Sequence, residues 1–227
     1  MSVVVQGSVL ARNEVSSVDH PQLADVRHRR RFKWRGAAGI LLLTPAATIA
    51  VLADPLVDPD SGVDLVIDAF AWVTFLAGMG LRFWATLYIG GRKGDVVVSE
   101  GPYSVCRHPL YVGSVLLVLS GALFLKSVVF AGGVALLAIA YFTFTVPAEE
   151  EHLQARVGEP YRRYCHQVNR LWPSFRHFQT PTRISVDVRS LYVECARASR
   201  WLWLPLFGEI IGHLRRAPWW PHLFTMP

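Results

Sequence analysis

The chain has 227 residues and a mass of 25.4 kDa, enough for one domain or two small ones. Hydrophobic residues make up 52%, charged residues only 18%, and the mean hydropathy is +0.30, which excludes a disordered chain and argues against an ordinary soluble enzyme. Cys106, Cys165 and Cys195 form no Cys-x-x-Cys pair, which speaks against a disulfide scaffold or zinc ribbon, and the net charge of +6 points to a polyanion or a membrane surface, depending on where the charges fall.

Residues 1–35 are polar, with a basic cluster of Arg27, Arg29, Arg30, Arg31, Lys33 and Arg35 and no apolar run that would make a signal-peptide core. Residues 36–53 carry no charge and would extend about 27 Å as a helix, which predicts a first membrane span. An acidic, proline-containing turn follows at 54–62. A second span is predicted over 63–89, with Asp64 and Asp68 near one end and Arg82 towards the other. After a polar connection, apolar runs at 110–125 and 128–146, joined at Lys126 and Ser127, predict a helical hairpin. The rest is charged, except for an aromatic-rich stretch at 201–224 whose Trp201, Trp203, Trp219 and Trp220 are interrupted by Pro205 and Pro218. That stretch reads as an interfacial helix or a fifth, re-entrant segment.

The expected fold class is therefore all-α: a polytopic membrane protein of four transmembrane helices with a cytoplasmic helical extension. It divides into a basic N-terminal segment 1–35, a membrane core 36–173 and a Trp-rich tail 174–227. Lys and Arg number seven before the first span, none in the 54–62 turn, three in the 90–109 connection, one at the hairpin and eleven after residue 147. The positive-inside rule then places both termini in the cytoplasm, with the chain in the cell inner membrane. Basic residues that flank spans in this way suit lipid phosphate, so nucleic acid is not an expected partner.

Two polar clusters could carry chemistry. In 101–113, Gly101 and Pro102 make a turn, Arg107 and His108 precede Pro109 at a helix start, and His108 and Tyr111 share a helical face. Together with Tyr103, this group suits a ligand bearing a carboxylate and a cation, or else an interfacial anchor. In 148–164, Glu149 and Glu150 leave the fourth span, followed by Tyr161 and Tyr164; the alternative is a solvated surface helix. The remaining histidines form no HExxH spacing, and no metal site is expected. Cys106 lies beside Arg107, which could lower its pKa, although packing against the hairpin is the simpler reading.

The two clusters together resemble the isoprenylcysteine carboxyl methyltransferase and phospholipid methyltransferase superfamily of integral membrane proteins. Gly101, Pro102, Tyr103, Arg107, His108, Pro109, Tyr111 and Gly113 match its first motif; Glu149, Glu150, Leu153, Gly158, Tyr161 and Tyr164 match its second. The resemblance covers about residues 78–173. It implies S-adenosyl-L-methionine as cofactor, held on the cytoplasmic side by Tyr103, His108, Pro109, Tyr111 and Glu149 with backbone from Asp95 to Val98. It further implies methyl transfer to a membrane lipid or other lipophilic substrate, or to a small thiol, with Arg82, Arg107 and Glu150 as catalytic candidates and Glu150 or His108 as base for an amine acceptor. Thr145 stands where the carboxyl methyltransferases carry an arginine, and Arg82 is a candidate substitute or a snorkelling residue. The rival readings are an NADPH-dependent membrane reductase and a non-catalytic membrane scaffold. For the tail, a membrane-surface or homodimer contact is expected.

Overall fold

The computed structural model describes residues 39, 41, 43–53, 57–58, 61–91, 97–221 and 223. The chain divides into two compact units, 1–41 and 42–227, and the elements below belong to the second. The expected N-terminal segment and the opening of the first predicted span lie outside the described residues.

Among the described residues the fold is all-helical, with no strand. α1 (Leu43–Leu52) is the described part of the first apolar run. α2 (Gly62–Ile89) starts where Ser61, in extended conformation, accepts a hydrogen bond from the Asp64 amide at 3.1 Å. Its 28 residues extend about 42 Å. Ala71, Phe75, Gly78, Arg82 and Ala85 recur at three- and four-residue spacing and form its buried seam, while Leu65, Phe70, Val73 and Leu76 on other faces are more than half exposed. Such an apolar outer surface suits lipid.

α4 (Pro109–Leu125) runs antiparallel to α2, and its Gly113, Leu117, Ser120 and Phe124 form the facing seam. The two backbones come closest at two glycines: a Cβ on Gly78 would lie 2.9 Å from the Gly113 carbonyl oxygen, and one on Gly113 3.0 Å from that of Gly78. Small residues at such a crossing are what membrane helices use where burial from water offers no drive. Leu117 packs with Ala71, Phe75 and Phe124, and Trp72 meets Phe124 edge-on at 5.3 Å between ring centroids. Lys126, in the left-handed conformation at the hairpin joint, reaches back to Asp64 and, at 3.0 Å, to Asp68. The start of α2 and the hairpin joint therefore share one end of the bundle.

The second hairpin arm is a single 30-residue rod of α5 (Val128–Ala140), a π-helical turn (Tyr141–Thr145) and α6 (Val146–Val157). Pro147 has no N–H and its ring crowds the preceding turn, which accounts for the wider turn there. The extra residue rotates α6 relative to α5 and sets where Glu149 and Glu150 point. Among the described residues, α2 and this rod are the two helices long and apolar enough to cross a membrane; α1 and α4 are shorter apolar helices.

α7 (Glu159–Gln167) folds back so that Tyr161, Tyr164 and Val168 pack with Val97 and Leu153. α8 (Val188–Trp201) and α9 (Trp203–Arg215) then follow the bundle lengthwise. Asp187 and Ser190 lie against Gly90, Leu204 against Gly121 and Gly208 against Phe124. Arg215 donates to the Leu125 carbonyl at 3.0 Å, and the Leu223 amide to the Leu52 carbonyl at 3.0 Å. The sequence left the 201–224 stretch as an interfacial helix or a fifth, re-entrant segment; here its helix α9 lies along α4. The end of α9 reaches the hairpin-joint end of the bundle, with Gly208 making room for Phe124 of α4 and Gly121 of α4 making room for Leu204.

Candidate functional site

The site forms at the other end, where α4 begins. A short helix, α3 (Pro102–Val105), precedes it. Gly101 has φ +58°, and a Cβ there would lie 2.5 Å from the Tyr88 ring, so only glycine fits this turn. The 169–179 segment straps the loop down: the Arg107 amide donates to the Asn169 carbonyl (2.9 Å), the Ser174 amide to Val105 (3.0 Å) and the Gly101 amide to Gln179 (2.8 Å). The Tyr164 hydroxyl donates to the Tyr103 carbonyl at 2.8 Å. His108 occupies the N-cap position and Pro109 the first turn of α4.

The two motif segments meet here. The Tyr111 hydroxyl donates to Glu149, and His108 Nε2 lies 3.0 Å from Glu150 Oε1. An ionised carboxylate only accepts, so Nε2 carries the hydrogen. The His108 and Tyr111 rings stack at 5.6 Å, and Tyr141, from the π-helical turn, meets Tyr111 edge-on at 5.4 Å. Glu150, 8% exposed, also receives Arg107 Nη1 at 2.9 Å and Arg170 Nε and Nη2 at 3.1 and 2.6 Å. With both oxygens committed to donors, its carboxylate anchors α6 to α4 and to the strap.

Two polar atoms of the site are buried without a hydrogen-bond partner, Tyr103 Oη and Arg107 Nε. Burial, and then the charge of Glu149, hold the Tyr103 phenol well above its ordinary pKa, so it is a protonated donor at neutral pH. Burial likewise pushes the Cys106 thiol up to about 11, against a smaller lowering by the His108 backbone hydrogen bond. Cys106 is therefore a packed thiol, and Arg107 does not activate it. Val98 lies half-buried in the 97–99 segment, and residues 95 and 96 lie outside the described residues.

Arg82 stands apart from this group. Its Nε and Nη2 donate to Glu194 of α8 at 2.7 and 3.0 Å, and its Nη1 to Ser114 Oγ and the Leu110 carbonyl at 2.6 and 3.3 Å. Sequence reasoning missed Arg170, Tyr141 and Glu194. Arg170 and Glu194 lie in segments without a diagnostic spacing, and only the Pro147 break hinted at the turn that carries Tyr141. Among the described residues no group of three or more His, Cys, Asp or Glu could hold a metal ion. A cleft of about 100 Å³ lies at the hairpin-joint end, lined by Asp64, Asp68, Lys126, Glu209 and His213 among others.

A family model described as phospholipid methyltransferase matches residues 65–159, which take in the first motif and the second as far as Gly158. The nickel-cobalt-cadmium resistance protein NccN of Alcaligenes xylosoxydans xylosoxydans is 31% identical over 149 residues, covering 64% of this chain and 68% of that protein. The cobalt-zinc-cadmium resistance protein CzcN of Cupriavidus metallidurans is 30% identical over 134 residues, covering 59% of this chain and 61% of that protein. No solved structure matches. With both motifs meeting at the head of α4 and the family model covering the first and the acidic part of the second, the chain belongs to the phospholipid methyltransferase family, within the isoprenylcysteine carboxyl methyltransferase-like superfamily.

Proposed function

We propose that the chain is a membrane methyltransferase that uses S-adenosyl-L-methionine and acts on a lipophilic acceptor at the cytoplasmic face. The observation that carries this reading is the meeting of Tyr111 with Glu149 and of His108 with Glu150, residues about forty positions apart in sequence. The residues suit the donor: Tyr103 offers a buried, unpartnered hydroxyl, Glu149 an acceptor for ribose or amino groups, and the Tyr111 and Tyr141 faces an environment for a sulfonium. Tyr103, His108, Pro109, Tyr111, Glu149 and the backbone at Val98 would hold it. When bound, S-adenosyl-L-methionine supplies a methyl group already activated by its sulfonium.

The chain's task is then alignment and exclusion of water, and alignment in a near-attack pose contributes about 7–11 kcal/mol. Glu150 serves as the anchor that fixes Arg107 and His108, and His108 remains the candidate base for an amine acceptor. The rod that carries Glu149 presents Leu136, Ile139 and Phe144 outward, an apolar surface along which a lipophilic acceptor reaches the site from the bilayer. In this reading α1, α2, α4 and the α5–α6 rod are the four spans, in the inner membrane, with the His108 end in the cytoplasm. The resistance named for NccN and CzcN would, in this chain, follow from methylation of a membrane lipid or a thiol.

The test is calorimetric titration of the detergent-purified chain with S-adenosyl-L-methionine, its demethylated product and NADPH. Binding of the first two, weakened about tenfold or more by His108→Ala and by Glu149→Gln, is expected from loss of a hydrogen bond to a charged group. A folded chain that binds neither at millimolar ligand, or that binds NADPH instead, overturns the proposal.

A further inference from the structure

We propose that Glu194, on α8, is a positioning residue for the methyl-donor site, acting through Arg82 on the first two turns of α4; the inference rests on the methyl-transfer reading above. Glu194 lies beyond the residues matched by the family model, in the stretch that the sequence left as a tail.

Three observations carry it. Glu194 is 1% exposed and Arg82 8%, so neither charge is exposed enough to be stabilised by bulk water. The pair is a fork: two guanidinium nitrogens meet the two carboxylate oxygens, which fixes the plane of the guanidinium as well as its charge. That plane leaves Nη1 for α4, where it donates to Ser114 Oγ and the Leu110 carbonyl, and Ser114 Oγ itself donates to Leu110 at 2.8 Å.

The stem of Arg82 crosses Gly113, where a Cβ would come within 2.6 Å of Cγ. The motif glycine thus makes room for an arginine held at its head by the tail and lying against α4 along its stem. Leu110 is bonded in the chain to Tyr111, and Ser114 lies one turn on. A shift of Arg82 would move the helix start that brings Tyr111 to Glu149 and His108 to Glu150. Arg197 also donates to Glu194, at 3.1 Å, so loss of Arg82 alone leaves the carboxylate a partner, whereas loss of Glu194 leaves Arg82 held only by α4.

The experiment uses the full chain in nanodiscs, with donor affinity by calorimetry, melting temperature, and hydrogen exchange at the amides of residues 110–114. Three variants separate positioning from simple charge balance. Glu194→Gln removes the charged fork. Arg82→Lys keeps a cation beside Glu194 but cannot reach the carboxylate and α4 together. Tyr111→Phe reports on the site itself. The expected result is a donor affinity about tenfold weaker in Glu194→Gln and also in Arg82→Lys, although the latter melts close to the parent. Amide exchange at 110–114 should be faster in both, and Glu194→Gln should add little to the loss in Tyr111→Phe, because both act on one contact. If the parent binds the donor while Glu194→Gln and Arg82→Lys bind it equally well, or if the losses simply multiply, Glu194 is structural and the inference falls. If the parent binds no donor, the methyl-transfer reading falls, and this inference with it.

Discussion

The crossing of α2 and α4 makes a prediction that isolates one physical term. Gly78→Ala and Gly80→Ala change two glycines of the same helix, two residues apart. A Cβ at 80 meets nothing within 4 Å, whereas a Cβ at 78 meets the Gly113 carbonyl oxygen at 2.9 Å, Leu117 Cγ at 3.0 Å and Leu116 Cβ at 3.1 Å. The first of these atoms is backbone and cannot rotate away, so α4 must move outward. Both substitutions bring the same gain in helix propensity, at most about 1 kcal/mol. The difference between them is then overpacking alone, about 1–3 kcal/mol. For a chain of this size that corresponds to a gap of roughly 2–12 °C in melting temperature, at about 2–4 °C per kcal/mol. The assay is thermal melting of both variants in the same detergent, with donor titration alongside, because α4 carries His108 and Tyr111. Gly80→Ala should match or exceed the parent, and Gly78→Ala should melt lower and bind donor more weakly. Indistinguishable melting curves would refute the close crossing and the packing argument built on it.

At the other end, Lys126→Met leaves Asp64, only 6% exposed, without its cation, and should cost about 3–5 kcal/mol in stability, with much of it recovered in the Lys126→Met/Asp64→Asn double variant. A single variant that melts with the parent would show that Asp64 is not held by Lys126. For the cysteines, the exposed Cys195 should react readily with a maleimide at pH 8. Buried Cys106, with a pKa of about 11, should be about one part in a thousand thiolate at that pH and should react only after unfolding. Its thiolate fraction rises tenfold per pH unit up to the pKa, so labelling of the folded chain at both sites at equal rates would contradict its burial. Mass spectrometry of the labelled peptides reads both sites.

The apolar runs made the helices legible. α2 and α4 begin and end within a residue or two of the stretches predicted from apolar length, because every residue between is compatible with one long helix. The motif spacing made the pairing of 103–111 with 149–150 legible as well, through a resemblance. What periodicity could not supply was the direction of side chains beyond a break. Pro147 announces a disturbed ladder but not a turn wide enough to bring Tyr141 onto Tyr111. Arg82 read as a substrate anchor or a snorkelling residue because its partner, Glu194, is 112 positions away in a helix whose amphipathic pattern does not show which face is covered. Trp201 to Trp220 suggested a surface, and the glycines at 208 and 121 that let α9 lie against α4 carry no signal until the two helices are seen side by side.

The buried charges mark two levels, and their separation explains why each is paired. On α2 the last acid of one level is Asp68 and the cation of the other is Arg82, fourteen residues and about 21 Å apart, with no charge between them on α2 or along α4. A bilayer's hydrocarbon core is about 30 Å thick, so in a membrane at least one of these levels lies below the headgroups. A charge at that depth persists when protein supplies what water would have supplied. Lys126 does so for Asp64 and Asp68, Glu194 for Arg82, and Arg107, His108 and Arg170 for Glu150. The pairing at the His108 end draws on five separate segments, α2, the α4 head, α6, the strap and α8. A polar site assembled in this way keeps its charges paired inside the protein: Glu150 retains a cation when either the α4 head or the strap is lost, whereas Arg82 depends on α8 for its carboxylate.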